Sequence, residues 1–321
     1  MKNQQVFDKK GIIMSLNNSA FAEEERSKVS IITPSRNHGL FLRETIESVL
    51  SQTYKNVEHV VVDGASTDKT VDILKEYPHL KWVSEKEGGD NPCLEAIWKA
   101  FRMSTGDYIV FLCVSDGLVD ANWLKQAVHV LDKDSEVSLV WGVVQSKTED
   151  GRLGKVWSAS YLEHEPPQKK DFLPFWLATR EGIECNAVIR RNIFEKCYTR
   201  NTKDEPCRVA TGLGFTYNFV TQGYLPYFIP VITIFGRVHD DQRGSQMSAE
   251  VEAGSNAYNQ RVETYKNELL AGGVKHCFRD SRSEIISEVT PSDLVLYKKL
   301  IWKQRLKGSL NRKFQRLMNR I

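Results

Sequence analysis

Between residues 29 and 116 the apolar residues alternate between two rhythms: short unbroken runs, as in buried strands, and longer stretches with one apolar face, as in helices. The run VSIITPSRN at 29–37 is a buried strand that breaks at Pro34, because proline has no N–H and restricts the residue before it. A loop is therefore expected from Thr33 to Asn37. LFLRETIESVLSQTY follows, with Leu42, Ile46, Val49 and Leu50 at helical spacing. VEHVVVD is a second strand ending on Asp63, and a turn at 64–68 leads to a helix that Ser66 or Asp68 can cap and that Val71 and Leu74 pin to the core. LKWVSE reads as the third strand, 94–103 as a helix, and DYIVFLCV as a fourth strand leaving at Ser115 and Asp116. Strands alternating with helices imply parallel pairing and right-handed crossovers, and such sheets bind ligands beyond the carboxyl ends of their strands. Thr33, Arg36, Asn37, Asp63, Glu85 and Asp116 all fall at those ends.

Beyond Asp116 the pattern predicts a helix at 121–131 and a strand at 137–144. Aromatic residues and prolines crowd 157–178 (Tyr161, Pro166, Pro167, Phe172, Pro174, Phe175, Trp176). That crowding suits a structural cover on the core and equally an aromatic platform for a ligand. IECNAVIRRNIFEKC suggests a strand or turn entering a helix, FTYNFVTQGY another helix, and YFIPVITIFGRVH a strand ending at His239. Pro230 makes that strand an edge or a broken one. In the tail, Leu306, Leu310, Phe314, Leu317 and Ile321 form one helical stripe, with Arg305, Arg312, Lys313, Arg316 and Arg320 on the flank beside it. Such a helix suits either an anionic membrane surface or a packing face on its own domain or a second subunit, as in a homo-oligomer.

Composition narrows the picture. The 321 residues carry a net charge of +3, yet residues 293–321 hold one acid, Asp293, against nine lysines and arginines. That asymmetry speaks against nucleic acid as a partner and for a local anionic one. No run approaches a transmembrane span, and residues 1–26 read as a polar, flexible arm rather than a signal peptide. The six cysteines have no paired spacing, which fits reduced thiols in a cytoplasmic protein, with the inner face of the membrane as its site if the tail binds lipid.

TPSRN, VVVDGASTDKT, SEKEGG, EAIWKAF and GDYIVFLCVSDG occur in an order and spacing that resemble family 2 glycosyltransferases, from residue 29 to about 117. The resemblance implies the GT-A fold: an α/β architecture with a mostly parallel sheet flanked by helices and a Rossmann-like nucleotide-binding half. The expected division is the arm at 1–26, a nucleotide-sugar half at 27–120, an acceptor half at 121–247 and a helical basic C-terminal tail at 248–321. The implied function is an inverting transfer of one sugar from a nucleotide diphosphate donor, UDP-linked in the favoured form, to a surface-glycan or lipid-linked acceptor. A catalytically degenerate scaffold that binds nucleotide or glycan stands as the alternative. A nucleotidyltransferase is a weaker third, because TPSRN is not a Gly-rich phosphate loop.

Each requirement of sugar transfer points to residues. The resemblance makes Asp63 the nucleotide-binding acid, against the plainer role of capping its own DGAST turn. Thr33 and Pro34 shape the first loop, Arg36 and Asn37 either reach a phosphate or are solvated, and Glu85 matches an acidic position of the family while Glu87 reads as a solvated charge. Family members usually carry two carboxylates at the diphosphate, because a hard divalent cation, Mn²⁺ or Mg²⁺, wants oxygen ligands. Here the strand ends Ser115, Asp116, and Asp120 reads as a helix cap. RVHDDQRGS resembles the family's late segment, which implies His239 as a second metal ligand beside Asp116, against the plainer reading of a structural histidine; the cation is then expected to depend on the donor, with Arg237 and Arg243 flanking His239 to clamp the diphosphate. The family's base would fall near Gly212, where no acid stands, so Glu184 is the candidate base, followed by Glu181 and Asp204.

Overall fold

The computed structural model describes residues 26–89, 91–156, 168–183, 187–198, 211–239, 248–290 and 294. The first half is a run of β/α units: β1 (Val29–Ser35), α1 (Gly39–Leu50), β2 (Val57–Asp63), α2 (Thr70–Lys75), β3 (Lys81–Ser84), α3 (Pro92–Met103), β4 (Tyr108–Phe111) and a short β5 (Gly117–Leu118). Then come α4 (Trp123–Lys133), β6 (Val137–Thr148), β7 (Leu153–Val156), α5 (Phe172–Thr179), β8 (Val188–Arg190), α6 (Arg191–Cys197), α7 (Thr211–Thr221), β9 (Leu225–Val238) and α8 (Ser248–Leu270), followed by a hairpin of β10 (Cys277–Arg279) and β11 (Ile285–Glu288).

Among the described residues, nine strands form one sheet in the order β3-β2-β1-β4-β8-β6-β9-β5, with β7 paired to β6. As the alternation implied, β1, β2, β3 and β4 pair in parallel. The second half is mixed: β8 lies antiparallel between β4 and β6, while β9 runs parallel to β6. Period-two alternation sorts the core to the two faces of the sheet. Leu139, Trp141 and Val143 fall in the cluster with α3 and α5 to α8, whereas Val140 and Val144 fall in the one with α4, joined by Val137 across a register shift. Each fully buried large side chain contributes roughly 1.5–3 kcal/mol by leaving water.

Pro34 departs from expectation and Pro230 meets it, each for a local reason. β1 continues through Pro34 to Ser35. Its pairing with β4 stops at Ile32, while the Ser35 carbonyl still accepts from Gly64 N–H on the β2 side at 2.8 Å. Alternate residues face opposite neighbours, so the N–H that Pro34 lacks would point to the side β4 has left. Pro230 lies in a strand flanked on both sides, but within a bulge: Trp141 pairs with Phe228 and Val143 with Ile232, so β9 has extra residues there. Gly142 makes the bulge possible, since a Cβ on it would lie 3.0 Å from the carbonyls of Ile229 and Val231.

The described aromatic residues of the 157–178 stretch serve the core. Phe172 and Trp176 are buried, and the Trp176 indole N–H donates to the Tyr258 hydroxyl at 2.7 Å. Tyr161, Pro166 and Pro167 lie outside the described residues, as do the arm at 1–25 and the tail's stripe and basic flank. No helix among the described residues is long and apolar enough to cross a membrane.

Candidate active site

The carboxyl ends of β1 to β4 gather the loops at 33–39, 63–70, 84–89 and 112–116 along one edge. On the side formed by β1, β2 and β3, side chains stitch these loops to one another. Asp63 is fully buried and accepts from Ser66 N–H at 2.9 Å, from the Ser84 hydroxyl at 2.6 Å and from the Ser66 hydroxyl. It therefore caps its own turn and ties the exits of β2 and β3. Three of about four acceptor directions of the carboxylate are used.

Asn37 sits at φ 54°, a left-handed conformation that asparagine tolerates. Its N–H donates to the Ser66 hydroxyl at 2.7 Å and its Oδ1 accepts from Thr67 N–H at 2.8 Å. Asp68 accepts from Gly39 N–H at 2.9 Å and from the N–H and hydroxyl of Thr70 at 3.0 and 2.6 Å, so one carboxylate caps the first turns of α1 and α2. Burial opposes its ionisation, but the Thr70 hydroxyl and the two N–H groups outweigh it and hold the carboxyl below its usual range. Gly39 is required there, since a Cβ would lie 3.1 Å from Thr70 N and 3.2 Å from Asp68 Oδ2. Below the loop, the buried Thr33 hydroxyl meets His59 Nε2 at 2.9 Å. Arg36 is exposed on the rim. Glu85 and Glu87 both pair with Lys99, the latter at 2.5 Å.

On the other side, the chain crosses from β4 to β5 through Ser115 and Asp116. Ser115 is buried at φ 92°, a strained conformation for a residue with a Cβ. Thr45 of α1 holds the turn: its hydroxyl donates to the Asp116 carbonyl at 2.7 Å and accepts from Ser115 N–H at 3.2 Å. β5 pairs antiparallel with β9 through Gly117 and Phe235, which brings the end of β9 to the same place. Asp116 Oδ1 accepts the backbone N–H of Arg237 at 3.0 Å, and His239 follows two residues later, buried against the Phe41 ring at 4.9 Å and the His38 ring at 5.6 Å. The structure thus brings Asp116 and the end of β9 together from opposite ends of the domain.

Arg237 differs from expectation. Rather than facing a diphosphate, its buried guanidinium donates to the carbonyls of Ser115 at 3.2 Å, Thr148 at 3.0 Å and Glu149 at 3.2 Å, and pairs with Glu44. Thr45, Glu44 and Lys147, which also pairs with Glu44, gave no signal in the sequence pattern. Asp120 is not the cap expected: α4 starts at Trp123 with Asn122 at its N-cap position, and Asp120 accepts from Asn122 N–H at 2.8 Å and from the Gln126 amide at 3.1 Å. Arg243, Glu184 and Asp204 lie outside the described residues. Glu181 is described, its N–H donating to the Thr179 hydroxyl at 3.2 Å.

Among the described residues no group of three or more His, Cys, Asp or Glu side chains is arranged to hold a metal ion. One carboxylate, Asp116, and one imidazole, His239, two residues beyond the Arg237 whose N–H Asp116 accepts, fit a cation that arrives with further oxygen ligands better than one held by the protein alone.

Comparison with known proteins agrees with this architecture. Among solved structures, Staphylococcus aureus TarS (residues 1–349, in complex with UDP-GlcNAc) is similar with a TM-score of 0.53 at 17% identity, over 76% of this chain and 71% of that one. The mannosyltransferase PcManGT of Pyrobaculum calidifontis, in complex with GDP-Man and Mn²⁺, is similar with a TM-score of 0.50 at 17% identity, over 91% and 80%. Both show the likeness of fold. In sequence, an uncharacterised glycosyltransferase of Rickettsia typhi is 28% identical over 67% of this chain and 65% of its own length. A putative teichuronic acid biosynthesis glycosyltransferase of Bacillus subtilis, TuaG, is 36% identical over 34% of this chain and 44% of its own length. The chain thus spans between 44% and 65% of the length of these relatives. The family model described as glycosyl transferase family 2 matches residues 30–198. Because that match takes in more than half of the 321 residues and falls on the sheet whose exits carry Asp63 and Asp116, the chain belongs to glycosyl transferase family 2.

Proposed function

We propose that this protein is an inverting glycosyltransferase that moves a sugar from a nucleotide diphosphate donor to a surface-glycan or lipid-linked acceptor. The observation that carries the reading is the convergence of the exits of β1 to β4 with the end of β9, which sets the Asp63 network beside Asp116 and His239. In the reading, Asp63 and the 33–37 loop receive the base and ribose, with Thr33, Pro34 and Asn37 shaping the loop and Glu85 on its far wall. Arg36 on the exposed rim, Arg243 and the Ser115 turn face the diphosphate. UDP is favoured as the nucleotide because TarS is solved with UDP-GlcNAc, with GDP as the competing choice from PcManGT.

Asp116 and His239 would hold a Mn²⁺ or Mg²⁺ ion, which would offset the negative charge that develops on the departing diphosphate. A site with one carboxylate should be weak without nucleotide, so cation and donor should bind cooperatively. Glu184 is the proposed base that takes the acceptor proton. Its neighbour Ile183 donates its N–H to the Thr216 hydroxyl at 2.9 Å, and Gly182 packs against Leu213, which ties this segment to the first turns of α7. Those turns begin near Gly212, where the resemblance would put the family's base. The basic tail is proposed to bring the protein to the inner, cytoplasmic face of a membrane carrying a lipid-linked acceptor.

A thermal-shift panel of UDP, GDP and their sugars, with and without Mn²⁺, tests the reading, since a ligand of the native state raises stability by mass action. The expected result is a shift with UDP or UDP-sugar that Mn²⁺ enlarges. The scaffold alternative, motivated by the single carboxylate, requires nucleotide binding with no hydrolysis or transfer from any nucleotide sugar.

A further inference from the structure

Arg237 is 2% exposed, and a buried guanidinium is costly unless its donors are met. Here the donors converge on two loops bordering Asp116. Nε donates to Ser115 O, Nη1 donates to the carbonyls of Thr148 and Glu149 where β6 leaves the sheet, and Nη2 pairs with Glu44 on α1. The backbone N–H of the same residue holds Asp116 Oδ1 at 3.0 Å. One residue therefore grips Asp116 by its carboxylate and the preceding peptide by its carbonyl. The Ser115 turn needs such a grip, because a residue with a Cβ does not rest at φ 92° unless its surroundings enforce it.

The surrounding rings extend the arrangement to His239. The guanidinium lies 4.8 Å from the centroid of Phe41 and 5.5 Å from that of Phe235, and the other side of the relationship is that Phe41 also packs 4.9 Å from the His239 ring. Glu44 balances the charge, and Lys147 shares it while lying 4.3 Å over Phe235. Hydrophobic residues of similar volume would fill this space at less electrostatic cost. A charged arginine that meets three backbone carbonyls and orients a carboxylate has another use.

We propose that Arg237, held in place by Glu44, is a positioning residue that fixes Asp116 and the Ser115 turn for a divalent cation arriving with the nucleotide diphosphate. The inference rests on the functional reading above and assigns Arg237 a place behind the site instead of on the phosphate. Lysine cannot reproduce it, because one ammonium cannot reach acceptors on three separate segments in a planar fork.

The test is calorimetric binding of UDP to full-length wild type, Arg237→Gln, Arg237→Lys and Glu44→Gln, with EDTA and then with Mn²⁺, beside thermal melts of each. Wild type should bind UDP more tightly with Mn²⁺. In Arg237→Gln the Mn²⁺-linked gain should fall by about 10- to 100-fold, the range for groups that orient metal ligands, and any loss of metal-free affinity through the loosened Ser115 turn should be several-fold smaller than that. Arg237→Lys should lie between the two. Glu44→Gln should act in the same direction with a smaller loss, and it carries the test if Arg237→Gln does not fold, since Glu44 is partly exposed. A lowered melting temperature with the full Mn²⁺-linked gain retained would make Arg237 a packing residue and overturn the proposal. A loss of metal-free affinity as large as the loss of the Mn²⁺-linked gain would make it a direct phosphate ligand and overturn it equally. Wild type that binds UDP with no Mn²⁺-linked gain defeats this inference alone, whereas wild type that binds neither UDP nor GDP defeats the functional reading beneath it.

Discussion

The two sides of the site are built from different parts of the chain. On the side of β1, β2 and β3, the bonds that shape the loops join residues 3 to 30 positions apart: Asp63 to Ser66 and Ser84, Asn37 to Ser66 and Thr67, Asp68 to Gly39. On the Asp116 side they join residues 70 to 193 apart: Thr45 to Ser115, Asp116 to Arg237, Arg237 to Glu44. The first side can close within two successive strand-helix-strand units. The second is completed only when β9 arrives beside β5. Damage to the second should therefore leave the first able to receive a nucleotide, and that separation is what the following experiments probe.

The largest expected effect belongs to Asp116. Asp116→Asn keeps the shape and the acceptor for Arg237 N–H but removes the charge, so turnover should fall about a hundredfold or more through lost stabilisation of the leaving group. Metal-free nucleotide affinity should be nearly unaffected. His239→Ala should act in the same direction if the imidazole is a ligand. Donor hydrolysis or transfer across a metal series checks this; equal rates for wild type and Asp116→Asn would remove the carboxylate from catalysis.

The same contrast explains what could be read in advance. The strands and helices from β1 to β4 announce themselves as buried runs and one-sided stretches, and the exits holding Asp63 and Asp116 follow from them. The cap at Asp68 is also legible, because an aspartate two residues before a threonine at a helix start is a local signal. Arg237 is not legible in this way. Most of its acceptors are backbone carbonyls from other segments, and a carbonyl leaves no mark in the sequence. β8 is only three residues long and takes its antiparallel place between β4 and β6 from the sheet around it. Pro34 misled for a related reason: whether a missing N–H matters depends on where the neighbouring strand ends, whereas the break expected at Pro230 is the bulge.

Next in size is Asp63. Asp63→Ala should weaken UDP binding strongly, and it should also lower stability by roughly 1–3 kcal/mol, because Ser66 N–H and the Ser84 hydroxyl lose a buried acceptor. Calorimetry beside urea denaturation separates the two effects. Unchanged affinity in a destabilised protein would confine Asp63 to holding the loops together.

Asp68→Ala should have a more modest effect. It uncaps α1 and α2 together, which costs about 1–2 kcal/mol, and loosens the 33–39 loop. KM for the donor should rise while the Mn²⁺ dependence stays that of wild type. A changed Mn²⁺ dependence would break the separation between the two sides, since Asp68 touches only the first.

The last effect leaves nucleotide binding untouched and shows only in how stability depends on pH. His59 lies fully buried beneath Thr33, and burial, with a minor contribution from His79, lowers its pKa to about 3. Its ordinary value is 6.5. In the unfolded chain it takes a proton as pH falls below that ordinary value, whereas in the fold it stays neutral until much lower pH. The unfolded state then binds more protons, so this stability is fully present above pH 6.5 and is lost as pH falls toward about 3. The slope approaches about 1.4 kcal/mol per pH unit over that window. His59→Gln removes the titration and should flatten the decline between pH 6.5 and 5 without changing the Mn²⁺-linked gain in UDP affinity. Urea midpoints of both proteins across that window decide it: parallel declines would show that the acid sensitivity comes from elsewhere, such as His276, which burial lowers to about 4.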